Sequence, residues 1–417
     1  MQSIYLDHNA TTPPRPEVIE VMARLQAAGH GNPASGHRPG QKAHRLLEEA
    51  RHGMAQVLGA NLEGTSPDRL ILTSGGTEAN NLAVLGLACG SRKIIDPCIA
   101  NDPGRSPVPR RNPLDRRIDY AKINKSPQLV ISAIEHASII GPAEHLMEEH
   151  GWRLDTLGVS TDGVICADRL QSLLSDRTGL VSMMAANHEI GTIQPIDRLA
   201  ETCNAAGVPL HTDAVQMVGR QPVDFRRLGV AALSLAAHKF HGPLGIGALL
   251  LRHGVPLEPI LFGGHQQDGL RPGTESVVLA VGMWTALRLW QEEQTELISQ
   301  LTALRDRFES GLLAAWPGLI PHGDCAARLP QTSNIAFPDF DGQQLFLALD
   351  AAGVTCSLGA ACTSGAAEVS PTLLALGIPN SLARSSLRFS LGRSTTEAEI
   401  DEAVARIVRV CSELGSR

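Results

Sequence analysis

Val230-Ala231-Ala232-Leu233-Ser234-Leu235, followed by Ala236-Ala237-His238-Lys239-Phe240-His241-Gly242-Pro243, is the stretch on which the fold turns. Its first part is a short, continuously apolar run. Continuous rather than alternating apolarity predicts a strand buried on both faces, as in a parallel sheet. Its second part puts a lysine just past the end of that strand, between two histidines. An isolated lysine is usually a solvated surface charge; one that follows a buried strand in this way is a candidate for chemistry.

The same pattern recurs on either side. Arg69–Ser74, Leu129–Ala133, Leu180–Met184 and Gly207–His211 read as strands of the same kind. Helical patterns separate them. One runs from Gln41 to Leu58, with Ala43, Leu46, Leu47, Ala50, Met54 and Val57 on one stripe. This βαβα order predicts an α/β sheet whose ligands sit at the carboxyl ends of the strands. A long helix follows Val278 and continues towards Trp316. Beyond it the chain changes character. Thr332–Phe337 reads as a strand, Gln343–Ala352 as a helix and Leu387–Leu391 as a strand. A last helix opens on Thr396-Glu397-Ala398-Glu399, a capping-box pattern. These features predict a smaller α+β domain from about residue 296 onward.

Residues 89–127 stand apart. They hold six prolines, and nine basic residues against four aspartates, a local charge of +5 in an acidic chain. They read as a surface insertion. A docking arm for an acidic partner is the sharper alternative.

The chain has 417 residues, 43% hydrophobic and 19% charged. That predicts two or three domains with a large core. A net charge of −7 gives no support for nucleic-acid binding. The eight cysteines, Cys89, Cys98, Cys166, Cys203, Cys325, Cys356, Cys362 and Cys411, form no CxxC pair. In a chain this long they read as reduced thiols of a cytoplasmic protein. No apolar stretch approaches membrane-spanning length, and polar residues enter as early as Asp7-His8-Asn9.

Four further motifs carry chemistry. Leu210-His211-Thr212-Asp213-Ala214-Val215-Gln216 ends a strand on a carboxylate. Ser74-Gly75-Gly76-Thr77-Glu78 follows a strand and opens a helix, whose free N–H groups and dipole suit a phosphate. Ile134-Glu135-His136-Ala137 follows another strand. Gly359-Ala360-Ala361-Cys362-Thr363-Ser364-Gly365 sets a cysteine among small residues, a composition that suits a loop more than a core.

In their order and spacing, from Tyr5-Leu6-Asp7-His8-Asn9-Ala10-Thr11-Thr12 to Ser386-Leu387-Arg388-Phe389-Ser390-Leu391-Gly392, these motifs resemble the cysteine desulfurases of the NifS/IscS type within the class V aminotransferases. The resemblance covers nearly the whole chain apart from the insertion. It implies a fold-type I α/β enzyme dependent on pyridoxal 5'-phosphate. A large domain, residues 13–295, would hold a mostly parallel sheet. A smaller α+β domain, residues 1–12 and 296–417, would carry the cysteine loop. It also implies a homodimer acting on L-cysteine, with a sulfur-acceptor protein as a further partner and iron–sulfur cluster biogenesis as one destination of the sulfur.

The resemblance also implies roles. Lys239 would link covalently to the cofactor; a buried amine is tuned downward in pKa, which suits it to that link and to proton transfer. Asp213 would keep the pyridine nitrogen protonated, and Gln216 would reach the phenolic oxygen. His136 would stack on the ring and exchange protons. Gly76, Thr77 and His238 would hold the phosphate, joined by Thr274 from across the dimer interface. Arg388 would clamp the substrate α-carboxylate with its fork of donors, with Asn187 beside it. Cys362 would be the nucleophile that takes the sulfur as a persulfide. Cys411 and Cys203 read as core.

This chain departs from the pattern at two places. His188, in Asn187-His188-Glu189, stands where the family has a second asparagine near cofactor and substrate. Ala236 stands where the family has a serine whose hydroxyl binds the phosphate. A selenocysteine lyase or another class V enzyme is the nearest alternative reading. A non-catalytic sulfur-transfer partner that keeps the fold is the alternative outside catalysis.

Overall fold

The computed structural model describes residues 3–29, 31–95, 126–323, 327–359 and 369–415. In chain order, the first half comprises β1 (Ile4–Tyr5), α1 (Pro16–Ala28), α2 (Arg38–Val57), β2 (Arg69–Thr73), α3 (Gly76–Ile95), β3 (Gln128–Ser132), α4 (Ala137–His150), β4 (Arg153–Leu157), α5 (Ala167–Leu173) and β5 (Thr178–Met184). Then come α6 (Ile196–Ala205), β6 (Leu210–Asp213), α7 (Phe225–Leu228), β7 (Ala232–Ala236), β8 (Gly247–Leu251) and α8 (Val277–Ala315). The remainder comprises β9 (Ile320–Pro321), β10 (Thr332–Ala336), α9 (Gly342–Ala351), β11 (Val354–Thr355), α10 (Pro371–Ala375), α11 (Asn380–Arg384), β12 (Ser386–Ser390) and α12 (Glu397–Gly415).

Seven strands form the central sheet in the order β2-β8-β7-β6-β5-β3-β4. The run β4-β3-β5-β6-β7 is parallel throughout, and β8 is antiparallel to both its neighbours. Alternate residues of the strands enter different cores, because successive side chains point to opposite faces. Leu70, Leu72, Val130, Val181, Leu233, Leu235 and Leu250 join one cluster with residues of α2 and α8. Ile71, Leu129, Ile131, Leu180, Ala232, Leu249 and Leu251 join another with residues of α3 and α4. That double burial is why the strands read as unbroken apolar runs.

Five parallel strands end on one edge of the sheet. Met184, Asp213 and Ala236 are the last residues of β5, β6 and β7. Lys239 follows Ala236 by one tight turn, Ala237–Lys239.

A second sheet, β12-β10-β9, is antiparallel. The chain's first strand joins this end of the molecule. β1 pairs in parallel with β11, and Asp7 bridges to Ser390 of β12. The helix α8 has 39 residues, about 58 Å at 1.5 Å per residue. It packs against α1 and α2 and also against α12. The capping box expected at α12 is formed: Thr396 N donates to Glu399 Oε2 at 2.9 Å, and Glu399 N donates to Thr396 Oγ1 at 3.2 Å.

Most boundaries shift by one to three residues from the sequence reading, and two of the shifts have a structural meaning. The strand placed at 207–211 runs from Leu210 to Asp213, because Gly207 closes the preceding helix with a positive φ of 68°. Residues 89–95, read as the start of the insertion, continue α3. The core of the insertion, 96–125, lies outside the described residues. No helix among the described residues is long and apolar enough to cross a membrane.

Candidate active site

The site is built where the ends of β6 and β7 meet the segment that follows β1. Lys239 Nζ donates to Asn9 O at 2.7 Å and to Ala10 O at 2.8 Å. Burial pulls its amine down to about 7, aided by the cations Arg220 and Arg388 and opposed by Asp213 and Asp7. The amine is therefore drawn towards its uncharged form near neutrality, as a nucleophilic amine requires.

Asp213 is buried at the end of β6. Its Oδ2 accepts from Asn80 Nδ2 at 2.7 Å, and its Oδ1 accepts from Val215 N at 2.9 Å. Gln216 Nε2 donates to Asn9 O at 3.0 Å, while its Oε1 accepts from Arg220 Nη1 at 2.7 Å. His238 Nδ1 lies 3.1 Å from Thr11 Oγ1. Burial and the adjacent Lys239 hold its imidazole at about 4, so it is neutral at pH 7.

His136 caps α4 by accepting from Ser138 N at 3.1 Å. Its pKa is lowered by burial, with Asp213 opposing. The ring packs edge-on against His188, with centroids 5.3 Å apart. His136 and Thr77 line one cavity, of about 580 Å³. Thr77 is exposed in the first turn of α3, where free N–H groups and the helix dipole favour an anion. Gly76 opens that helix under close constraint. A methyl group placed on it would lie 2.8 Å from Val215 Cγ2 and 3.4 Å from Ala236 Cβ. Position 236 therefore faces the helix start, and a serine there would bring the hydroxyl that Ala236 lacks. Glu78 accepts from Ser74 N at 2.7 Å and is fastened by Arg271 at 2.7 and 3.1 Å. Thr274, three residues on, is exposed.

Arg388, in β12, donates from Nη2 to Asp7 Oδ1 at 2.6 Å and from Nη1 to His188 O at 3.1 Å. Among the described residues its Nε is buried without a partner, which leaves one prong of the fork for a carboxylate.

Asn187 requires a correction. It is fully buried, and its amide is committed to the surrounding backbone. Nδ2 donates to Ile134 O at 3.2 Å, and Oδ1 accepts from Glu189 N at 2.8 Å and Ile190 N at 3.0 Å. It shapes the turn after β5. His188, the next residue, faces the site instead. Its pKa lies well below the ordinary value, through burial first and then through the charges of His136, Arg388 and Lys239. The imidazole is thus a neutral group, not the near-neutral titrating one that its residue type suggests. His188→Asn is accordingly expected to change kcat/KM severalfold while leaving the neutral limbs of the pH–rate profile in place. A limb displaced between pH 6 and 8 in that variant would show that His188 titrates there.

Cys362 lies outside the described residues. Cys203 and Cys411 are core residues, as read. Several residues at the site carried no role in the sequence reading: Asp7, Asn9, Asn80 and Arg220. Asp7 and Asn9 stood within a quoted motif, but nothing local marked Arg220. Glu135, buried beside His136, accepts from Met184 N at 2.9 Å, and burial raises its carboxyl to about 8.

The arrangement fits pyridoxal phosphate. A depressed lysine amine and a buried carboxylate end adjacent strands. A helix start with no Cβ in the way faces them, and a half-committed arginine stands opposite.

The sequence as a whole matches the aminotransferase class-V family over residues 4–95 and 116–403. The unmatched gap falls within the basic insertion. A cysteine desulfurase of Cereibacter sphaeroides is 37% identical over 414 residues, 99% of this chain and 97% of that protein. An IscS-like cysteine desulfurase of Mycobacterium tuberculosis is 39% identical, covering 96% of this chain and 94% of its own. A solved NifS-like protein superposes with a TM-score of 0.83 at 30% identity, covering 99% of this chain and 100% of that one.

Proposed function

This chain belongs to the aminotransferase class-V family, and from that premise we infer that it is a pyridoxal-phosphate-dependent cysteine desulfurase. It turns L-cysteine into L-alanine and delivers the sulfur to an acceptor. The observation that carries this reading is the convergence of Lys239, Asp213 and Gln216 at the carboxyl ends of β6 and β7, opposite Arg388.

Pyridoxal phosphate, when bound, supplies an electron-accepting ring that weakens bonds at the substrate's α- and β-carbons. Lys239 would carry it, and its amine, whose pKa burial draws down to about 7, would then hold and move protons at the substrate carbons. Asp213 would keep a proton on the ring nitrogen. Gln216 would give its Nε2–H to the phenolic oxygen in exchange for Asn9 O. His136 would cover the ring face. Gly76, Thr77 and His238 would receive the phosphate, and Thr274 would complete the cup of a second subunit. Arg388 would offer its unpartnered Nε–H to the substrate carboxylate.

Cys362 is the thiol we assign as sulfur acceptor. Its thiolate attacks the substrate sulfur and the carbon–sulfur bond breaks. The electron pair stays with the carbon fragment, which gains a proton to become alanine, and the enzyme keeps a persulfide. A homodimer is supported by three apolar side chains left exposed in one protomer, Leu244, Leu261 and Phe262. Cys166, Cys203, Cys356 and Cys411 are free thiols, which suits a reducing, cytoplasmic setting. A protein acceptor would then take the persulfide sulfur, with iron–sulfur assembly as one outlet.

The direct test is incubation of purified protein with L-cysteine and a thiol reductant. Alanine and sulfide should appear in equal amounts. A keto acid in place of alanine would overturn the assignment. A rate with selenocysteine far above that with cysteine would move the substrate to selenium.

A further inference from the structure

Arg220 is an unusual residue to find in this place. It is 5% exposed and lies in the loop after β6. Its guanidinium ties three separate segments together. Nη1 donates to Asn9 Oδ1 and, at 2.7 Å, to Gln216 Oε1. Nη2 donates to His8 O at 2.9 Å and to Lys239 O at 3.1 Å. All four acceptors are uncharged oxygens. A buried cation is ordinarily matched by a carboxylate, because desolvation is costly otherwise. This one is hydrogen-bonded but not neutralised.

We propose that Arg220 is a positioning residue of the active site: its guanidinium fixes the strand-end turn that carries Lys239, orients the amide of Gln216, and places an unmatched positive charge beside the Lys239 amine to keep that amine reactive.

Two consequences follow from the geometry. First, a side-chain amide presents an acceptor oxygen on one side and a donor nitrogen on the other. Arg220 can only donate, so Gln216 Oε1 must face it, and Nε2–H is left to face the site. Second, Asn9 joins the two cations, its Oδ1 accepting from Arg220 and its main-chain O from Lys239 Nζ, in a buried setting where like charges disfavour protonation. The other groups facing Lys239 divide by sign. Arg388 acts in the same direction as Arg220, while Asp213 and Asp7 oppose both. His136, His188 and His238 are all held below their ordinary range, so at neutral pH they add no charge. Arg388 is itself paired with Asp7, which leaves Arg220, among the described residues, as the unpaired cation of the set. Its own guanidinium is pulled down to about 9 by burial and Arg388, so it keeps its charge at pH 7.

This inference rests on Lys239 being the cofactor-bearing lysine, and the test separates the two. In the full chain freed of cofactor, modification of Lys239 by a dilute amine-specific acylating reagent is followed across pH by peptide mass spectrometry. The wild-type midpoint should lie near 7. Arg220→Gln and, as a second neutral replacement of similar volume, Arg220→Met should move it upward by about one pH unit or more. Arg220→Lys, which keeps a charge but loses the fork, should stay near wild type in midpoint. Folding is checked in each by circular dichroism. An unshifted midpoint in a folded neutral variant overturns the role of Arg220. So does a wild-type midpoint in the ordinary lysine range, which needs no variant at all. Borohydride trapping of the cofactor on another lysine would instead remove the reading of Lys239 itself.

Discussion

Lys239→Ala abolishes the visible absorption of the purified protein and lowers alanine formation by at least about 10³-fold, the scale of losing a positioned proton-transfer group together with a covalent link. The expectation comes from the position as much as from the residue type. Lys239 Nζ is buried against Asn9 O and Ala10 O, and a methyl group in its place leaves both carbonyls without that donor. The amine is also the group that Arg220, Arg388, Asp213 and Asp7 jointly tune. The cofactor can still dock through its phosphate, because the start of α3 is untouched. Weak, dialysable binding without a borohydride-stable link is therefore the expected residue of function. A reducible adduct that persists in Lys239→Ala, mapped to a different lysine, would defeat the assignment.

Cys362→Ala should separate cofactor from sulfur. The variant is expected to keep its colour and its reducible link, form no persulfide, and lose at least about 10²-fold in alanine formation from cysteine. Loss of a group used only in bond breaking should lower kcat with little change in KM. Cys356 is the nearest cysteine in sequence and the obvious substitute. Its thiol is buried and its pKa is raised, by burial first and then by Asp7. It is thus protonated at neutral pH, and a thiol is a poor nucleophile beside a thiolate. Undiminished alanine formation, with a persulfide located elsewhere, would transfer the role to that other cysteine.

Much of this was legible in the sequence for a definite reason. The strands β2, β3, β5 and β7 are covered on both faces, so each reads as a short apolar block whatever its neighbours. Strand direction leaves no such trace. The block Gly247–Leu251 is as apolar as the rest, yet it runs antiparallel between β2 and β7. β4 lies at the sheet's edge with exposed or half-buried Arg153, Leu154, Asp155 and Thr156, and its polarity hid it. At the site, residues lying directly after strands stood out because position and type agree there. Asn187 misled because an asparagine in a turn serves the backbone as readily as a ligand. Arg220 was invisible because its partners lie 211 and 19 residues away in sequence. A charged residue four positions after a glutamine announces nothing by itself.

The first dozen residues have a consequence for how the protein comes into being on the ribosome. Asp7 is 381 residues from its partner Arg388. At 5–20 residues per second, roughly 20 s or more separates the synthesis of one from that of the other. For most of that interval β1 has no β11 to pair with, and Asn9 waits more than 200 residues for Arg220. A segment translated hundreds of residues before its partners is thus among the last to settle, and the surroundings of Lys239 are complete only when β11 and β12 have emerged. Nascent chains halted before Ser386 should take up no cofactor in stable form, so that cofactor loading waits on the strand that carries Arg388.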